Sequence, residues 1–160
     1  MRNALLTLAI CLMFLSCAKQ EERRDVAVGD AMPEILVPLS DGTVFSSATS
    51  RQGAVLVVFF NTGCPDCREE FPHVQRVFDE MSSRVRVVAI SREEGESSVQ
   101  KYWRENGLSI PYHADGTREL FQKFASSVIP RCYLFKDGVV VALWDDSPVM
   151  KYDDVLPFVD

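Results

Sequence analysis

The feature that most constrains the fold is the stretch of residues 55–72, in which an apolar run is followed by a polar turn and two cysteines. Residues 55–60 are rich in β-branched and aromatic side chains, which is typical of a strand buried on both faces of a sheet. Residues 61–63 interrupt the run, and Pro65 follows where proline is tolerated, at the first position of a helix. The sequence therefore predicts a buried strand, a tight turn and a helix that starts at Cys64.

Two cysteines, Cys64 and Cys67, flank Pro65 and Asp66 in the first turn of this predicted helix. Unpaired N–H groups and the helix dipole stabilise a thiolate there, so Cys64 is the expected nucleophile. Cys67 is expected to lie within disulfide-bonding distance of Cys64 and to be more deeply buried, so it is expected to resolve a mixed disulfide. The carboxylate of Asp66 opposes the Cys64 thiolate, which favours the disulfide form and indicates a reducing couple.

The composition indicates one domain with a substantial core. Of the 160 residues, 47% are hydrophobic and 25% are charged. From Cys17 onward the chain keeps all of its acidic residues and all but one of its basic residues, and its only basic pair is at residues 23–24. Nucleic acid is therefore not expected as a partner. Glu93, Glu94 and Glu96 are expected in a solvated loop.

The first 31 residues are expected to precede the globular domain. Residues 4–15 form an apolar segment that is too short to span a bilayer, which is typical of an export signal. Its end resembles the lipobox of bacterial lipoproteins and predicts a signal peptide over residues 1–16 with lipid on Cys17, the alternative being an ordinary secretory signal. Residues 17–31 are polar and predict a flexible tether, which leaves residues 32–160 for the domain.

The rest of the chain alternates strand and helix patterns, which predicts an α/β fold with a parallel crossover. The predicted elements are, in chain order, a hairpin over residues 35–39 and 43–45, the central strand, a helix to about residue 81, a strand over 85–90, a helix over 97–106 ended by Gly107, a short helix over 117–125, a hairpin over 132–135 and 139–144, and a stub of a closing helix over 152–160.

Three features together resemble the thioredoxin fold. The CxxC helix has Pro72 eight residues after Cys64, and Ile129-Pro130 precedes a strand and a Lys-Asp-Gly turn. The leading hairpin and the inserted helix are similar to exported thiol-disulfide oxidoreductases of the TlpA and ResA type. The resemblance implies a central mixed β-sheet flanked by helices, with an N-terminal hairpin extension and a helix-containing insertion.

The same resemblance implies a function. The implied activity is that of a thiol-disulfide oxidoreductase that acts on disulfide-bonded proteins of a bacterial cell envelope. Asp66 indicates the reducing direction, so a disulfide reductase is expected. The protein would be anchored by lipid and would face the periplasm. A membrane-associated thiol donor would reduce its disulfide after each turnover, and no cofactor or metal is expected. In the family a cis-proline, here Pro130, lies against the CxxC, and the backbone of the residue before it, here Ile129, pairs with an extended substrate segment.

Several residues depart from the family pattern or leave their roles open. Gly63 stands where a tryptophan is common, and Val58 stands where many thioredoxins have a buried aspartate. Glu69 and Glu70 are candidate proton acceptors, although exposed acids are the expectation for the first turns of a helix. Arg131, His73 and His113 are expected at the surface. Cys132 is expected to be a buried structural thiol, the alternative being a third redox thiol.

Two other functions, a disulfide-forming oxidase and a metal-binding module, remain as alternatives, and a peroxidase is discounted. The same dithiol can run in reverse as a disulfide-forming oxidase, for which an exported protein is suitably located. A peroxiredoxin-type peroxidase needs Thr or Ser three residues before its cysteine and Pro seven before it, and this chain has Asn61 and Val57 there. A metal-binding module would use Cys64, Cys67 and a dispersed histidine or Cys132, which is a poor match to a closed four-ligand site.

Overall fold

A five-stranded mixed sheet flanked by helices forms the centre of the molecule in the computed structural model, which describes residues 24–145 and 147–159. The elements are β1 (Leu36–Pro38), β2 (Val44–Ser46), β3 (Ala54–Phe60), α1 (Pro65–Met81), β4 (Val85–Ser91), α2 (Glu96–Asn106), β5 (Tyr112–His113), a 3₁₀ turn (Phe121–Lys123), β6 (Arg131–Lys136), β7 (Val139–Asp145) and α3 (Tyr152–Val159). The sheet order is β5-β4-β3-β6-β7, and β1 and β2 form a separate hairpin. The predicted α/β class, hairpin extension and helical insertion are confirmed.

The central strand β3 is buried on both faces because successive side chains of a strand point to opposite sides of the sheet. Leu56, Val58 and Phe60 pack into the core shared with α1, and the residues between them pack into a second core. β4 runs parallel to β3 and β6 runs antiparallel to it. The predicted buried strand and its parallel crossover are therefore confirmed.

The helices begin and end close to their predicted bounds. α1 spans Pro65–Met81 with Cys64 as its N-cap. α2 ends at Asn106 and is capped by Gly107, whose φ of 64° is left-handed and carries no steric penalty for glycine. Val99 and Trp103 of α2 are buried, as their spacing predicts. The closing helix α3 is a short helix of 8 residues.

The structure differs from the predicted elements at two places. Only a 3₁₀ turn forms within the helix predicted over residues 117–125, because the Asp115 carboxylate accepts hydrogen bonds from the N–H groups of Thr117 and Leu120 and offers the backbone an alternative to helix. Phe121 and Phe124 are nevertheless buried. The two-residue strand β5, which pairs with β4, is absent from the predicted elements, since so short a strand has no detectable period.

Residues 24–31, the N-terminal strap, pack on the domain although the sequence places them in a flexible tether. The N–H of Val26 donates to Phe124 O at 2.7 Å, and Gly29 and Asp30 exchange backbone hydrogen bonds with Val140 of the edge strand β7. The pairings with Val140 satisfy groups at a strand edge, and none of these hydrogen bonds is visible to a search for apolar periods. The predicted signal peptide and Cys17 lie outside the described residues. No helix within the described ranges is long and apolar enough to cross a membrane.

Candidate functional site

The two cysteines of the CxxC lie where β3 gives way to α1. The Cys64 sulfur accepts a hydrogen bond from the N–H of Cys67 at 3.4 Å, which is the capping geometry expected at a helix N-terminus. Cys64 is half-buried, Cys67 is only 1% exposed, and both are free thiols. The chain therefore presents one accessible sulfur with a second, shielded sulfur one helical turn behind it.

The turn before Cys64 is held by a hydrogen-bond network. Asn61 Oδ1 accepts the N–H of Gly63 at 2.8 Å, and its amide donates to Arg92 O at 3.1 Å. Glu94 accepts from the N–H of Thr62 at 2.7 Å and from the hydroxyl of the same residue. The prediction that Glu94 belongs to a solvated loop is wrong, because its carboxylate fixes the turn that carries the nucleophile. Glu96 likewise accepts from the Tyr112 hydroxyl at 2.7 Å.

The cis-proline loop, residues 126–130, lies directly against the CxxC. The Ile129–Pro130 peptide bond is cis, as the resemblance implies. The Cys64 thiol is 3.7 Å from Ile129 O, within the distance for a hydrogen bond from sulfur. Pro65 is exposed, Asp66 is half-buried, and the backbone of Ile129 is brought beside the accessible sulfur.

Glu70 is buried beneath the cysteines, so the expectation of an exposed acid is wrong for it although right for Glu69. Its carboxylate accepts hydrogen bonds from the N–H of Met150 at 3.0 Å and from the Cys132 thiol at 3.2 Å. Burial raises the pKa of Glu70 to about 7, although both hydrogen bonds oppose the shift. The buried face of α1, which comprises Cys67, Glu70, Phe71, Val74, Val77 and Met81, contains the signal that would have found it.

The two buried thiols face the same carboxylate. Burial, then the hydrogen bond with Cys64, raises the pKa of the Cys67 thiol, and the nearby charge of Glu70 adds to the effect. Burial, followed by the charge of Glu70, also raises the pKa of the Cys132 thiol. Val58, opposite Cys132 in the sheet, is apolar and 1% exposed. The buried carboxylate near the second cysteine therefore comes from α1 and not from the central strand.

Arg131 is also buried, which corrects the expectation that it faces solvent. It is 5% exposed, and its guanidinium pairs with Asp25 at 3.0 Å and with Asp145 at 3.1 Å. It also donates to Ser127 O at 3.3 Å. The expected surface histidines, His73 and His113, are half-buried. Across the described ranges, no three histidine, cysteine or acidic side chains form a group able to hold a metal ion.

Comparison with known proteins agrees with this geometry. A sequence model of the AhpC/TSA family matches residues 28–143. Thiol-disulfide oxidoreductase ResA of Bacillus subtilis is 22% identical over 144 residues, covering 88% of this chain and 80% of that protein. Sporulation thiol-disulfide oxidoreductase A of the same organism is 27% identical over 143 residues, covering 83% of each.

Solved structures give the same fold. A thiol:disulfide interchange protein of the thioredoxin family from Chlorobium tepidum superposes with a TM-score of 0.69 at 28% identity, over 83% of this chain and 95% of that one. The thioredoxin domain of a thiol-disulfide oxidoreductase from Bacteroides vulgatus has a TM-score of 0.71 at 20% identity, over 85% of this chain and 100% of that one. The chain therefore belongs to the AhpC/TSA family, within which it is a thioredoxin-fold oxidoreductase of the TlpA/ResA type.

Proposed function

We propose that this protein reduces disulfide bonds in other proteins through the Cys64–Cys67 dithiol. One observation carries the proposal: an accessible sulfur caps a helix N-terminus, and a buried thiol and a buried carboxylate follow on the same face of α1. The first group suits attack, the second suits release, and the third suits proton transfer. The related proteins named as thiol-disulfide oxidoreductases support the same chemistry.

The reaction has two exchange steps. The Cys64 thiolate attacks one sulfur of the substrate disulfide, so that a mixed disulfide forms and the other substrate sulfur leaves as a thiolate that takes up a proton. The Cys67 thiolate then attacks the Cys64 sulfur, and the second substrate sulfur leaves. Two electrons pass to the substrate, and the protein is left with a Cys64–Cys67 disulfide. A thiol donor must reduce that disulfide before the next turnover.

Glu70 is the proposed proton acceptor for Cys67. The second step needs the Cys67 thiolate, yet burial raises the pKa of this thiol above its ordinary value. Glu70 lies three residues further along the same buried face of α1, and its pKa of about 7 matches that of an effective base near neutral pH. Above pH 7 the carboxylate is ionised and available to take the proton.

The reducing direction is proposed from the sequence, in which the acidic residue Asp66 stands between the two cysteines. A disulfide-forming oxidase is the second candidate, since the same residues catalyse both directions. Peroxide reduction is not proposed despite the family, because Asn61 and Val57 are not the hydroxyl residue and proline that such a site needs. Val57 is buried in β3, and Asn61 is engaged in the turn.

The proposed location is the bacterial cell envelope, with the protein facing the periplasm on a lipid anchor at Cys17. The support is the export pattern of residues 1–16 and the cysteine that follows it. The proposed substrates are disulfide-bonded envelope proteins, and the proposed donor is a membrane-associated thiol protein. The domain itself would begin at the N-terminal strap, because residues 24–31 bond to it.

The test combines a measurement of the reduction potential with the trapping of a mixed disulfide. The Cys64–Cys67 potential is measured in glutathione and dithiothreitol buffers, where a value of about −270 mV supports a reductase and about −120 mV an oxidase. Cys67→Ser is expected to accumulate a mixed disulfide with insulin, and Cys64→Ser is expected to form none. Equal trapping by both variants would contradict the assigned roles, and bound metal with no disulfide formation would favour the metal-binding module.

A further inference from the structure

The residue that follows the cis-proline connects three separate parts of the chain. Arg131 begins β6, and its guanidinium contacts Asp25 of the N-terminal strap, Asp145 at the end of β7, and the carbonyl of Ser127. Asp25 reaches the same loop a second time, because it accepts the N–H of Ser126 at 2.8 Å. The cis-proline loop is therefore bonded to the strap on both sides of Ile129.

The loop between these contacts holds an unusual backbone conformation. Val128 has a φ of 59°, in the left-handed region that β-branched residues rarely adopt, and its side chain is 40% exposed. A residue in such a conformation persists only when its surroundings determine it. Here the fixed points are Ser126, held by Asp25 and Arg118, and Ser127, held by Arg131.

A buried guanidinium is a poor choice for stability alone. Taking a charge out of water is costly, and an apolar side chain of similar volume often serves the core as well or better. Position 131 lies on the face of β6 that also carries Tyr133, within an otherwise apolar core. An apolar side chain there has no donors for Asp25, Asp145 and a loop carbonyl, so only the arginine connects these three groups.

We propose that Arg131, clamped between Asp25 and Asp145, is a positioning residue that holds the cis-proline loop in the conformation that binds an extended protein substrate. The inference rests on the proposed function and deepens it, because Asp25 of the N-terminal strap then helps to shape the substrate site. The clamp lies on one face of β6, and Cys132 and Glu70 lie on the other. Loss of the clamp should therefore affect substrate docking and leave the chemistry of the dithiol unchanged.

The test compares a large and a small disulfide substrate with the full chain purified in detergent. Dithiothreitol regenerates the dithiol in the insulin assay. The small substrate is instead mixed with pre-reduced protein from which the dithiothreitol has been removed, because a free dithiol reduces it directly. Asp25→Asn removes one charge of the clamp and keeps an oxygen for Ser126, and Arg131→Lys keeps the charge but loses the fork that bridges both carboxylates. Both variants should raise KM for insulin by about ten- to a hundredfold, as expected when a positioning contact is lost. Two rates should stay within twofold of wild type, namely the rate with 5,5′-dithiobis(2-nitrobenzoate) and the kcat for insulin. The Cys64–Cys67 potential should be unchanged.

Asp30→Asn is the matched control, because it changes the charge of the same strap by the same amount at a carboxylate that binds Arg24 instead of the loop. If Asp25→Asn behaves like Asp30→Asn with insulin, the clamp has no positioning role. Equal losses with both substrates, or a shifted potential, would show a general structural effect and also overturn the inference. A wild-type chain that fails to reduce insulin would refute the proposed function itself, which is a separate result.

Discussion

Glu70 and Arg131 are both buried ionisable side chains near the start of β6, but their surroundings differ. Glu70 accepts hydrogen bonds from two neutral groups, the Cys132 thiol and the Met150 N–H. Arg131 lies between two carboxylates, those of Asp25 and Asp145. The two groups lie on opposite faces of the sheet, because Cys132, which binds Glu70, points toward α1 and its neighbour Arg131 points to the other face.

This difference determines what each group is able to do. A buried carboxyl with only neutral partners loses part of its hydration without a countercharge, so its pKa rises to about 7 and it exchanges protons near neutral pH. A guanidinium does not deprotonate in proteins, so a buried one requires the countercharges that Arg131 has. One face of the strand therefore holds a titrating group, and the other holds a fixed charge.

The largest expected effect comes from removing both countercharges of Arg131. In the double variant Asp25→Asn/Asp145→Asn the cation stays buried without an ionic partner, which is expected to cost about 3–5 kcal/mol of unfolding free energy. Urea denaturation followed by circular dichroism measures this, with m checked for two-state behaviour. Lys101→Gln/Glu105→Gln, which breaks an exposed ion pair on α2, serves as the control. A loss no greater than that of the control would mean that water reaches the guanidinium.

The next effect concerns the pH dependence of stability. The pKa of Glu70 is raised from 4.5 to about 7 in the folded protein, so between these values the unfolded chain ionises first and stability falls as the pH rises. The stabilisation is fully present below pH 4.5 and is lost as the pH passes 7, a change of order 3 kcal/mol. Glu70→Gln should flatten this part of the stability curve, as measured by urea titrations from pH 4 to 8.

Glu69→Gln is the matched control, since its side chain is one residue away and exposed. The same Glu70→Gln variant should slow release of the mixed disulfide by about a hundredfold or more, the usual contribution of a positioned proton acceptor. If the Glu70→Gln stability curve keeps the wild-type slope, the buried carboxyl does not titrate near pH 7.

The comparison also shows what the sequence is able to predict. The central strand and the CxxC helix are recognisable because their burial produces local patterns, a continuous apolar run and a proline at a helix start. The burial of Glu70 contradicts the usual exposure of acids in the first turns of a helix, and it depends on Cys132 and Met150, which are far away in the chain. The Asp25–Arg131 pairing is similarly remote, and no local period marks it.

The smallest expected effect is at Cys132, whose thiol donates to Glu70 Oε2 at 3.2 Å. This hydrogen bond stabilises the carboxylate and lowers the pKa of Glu70 against the effect of burial. Cys132→Val removes the donor at nearly constant volume and should move the pH midpoint of mixed-disulfide release upward by about one unit, since a hydrogen bond to a charged group contributes about 1.5–3 kcal/mol. Cys132→Ser retains a donor and should keep the midpoint near that of wild type. Identical midpoints in both variants, measured by single-turnover release of insulin between pH 5 and 9, would show that the thiol does not tune Glu70. Loss of turnover in both variants would instead identify Cys132 as a third redox thiol.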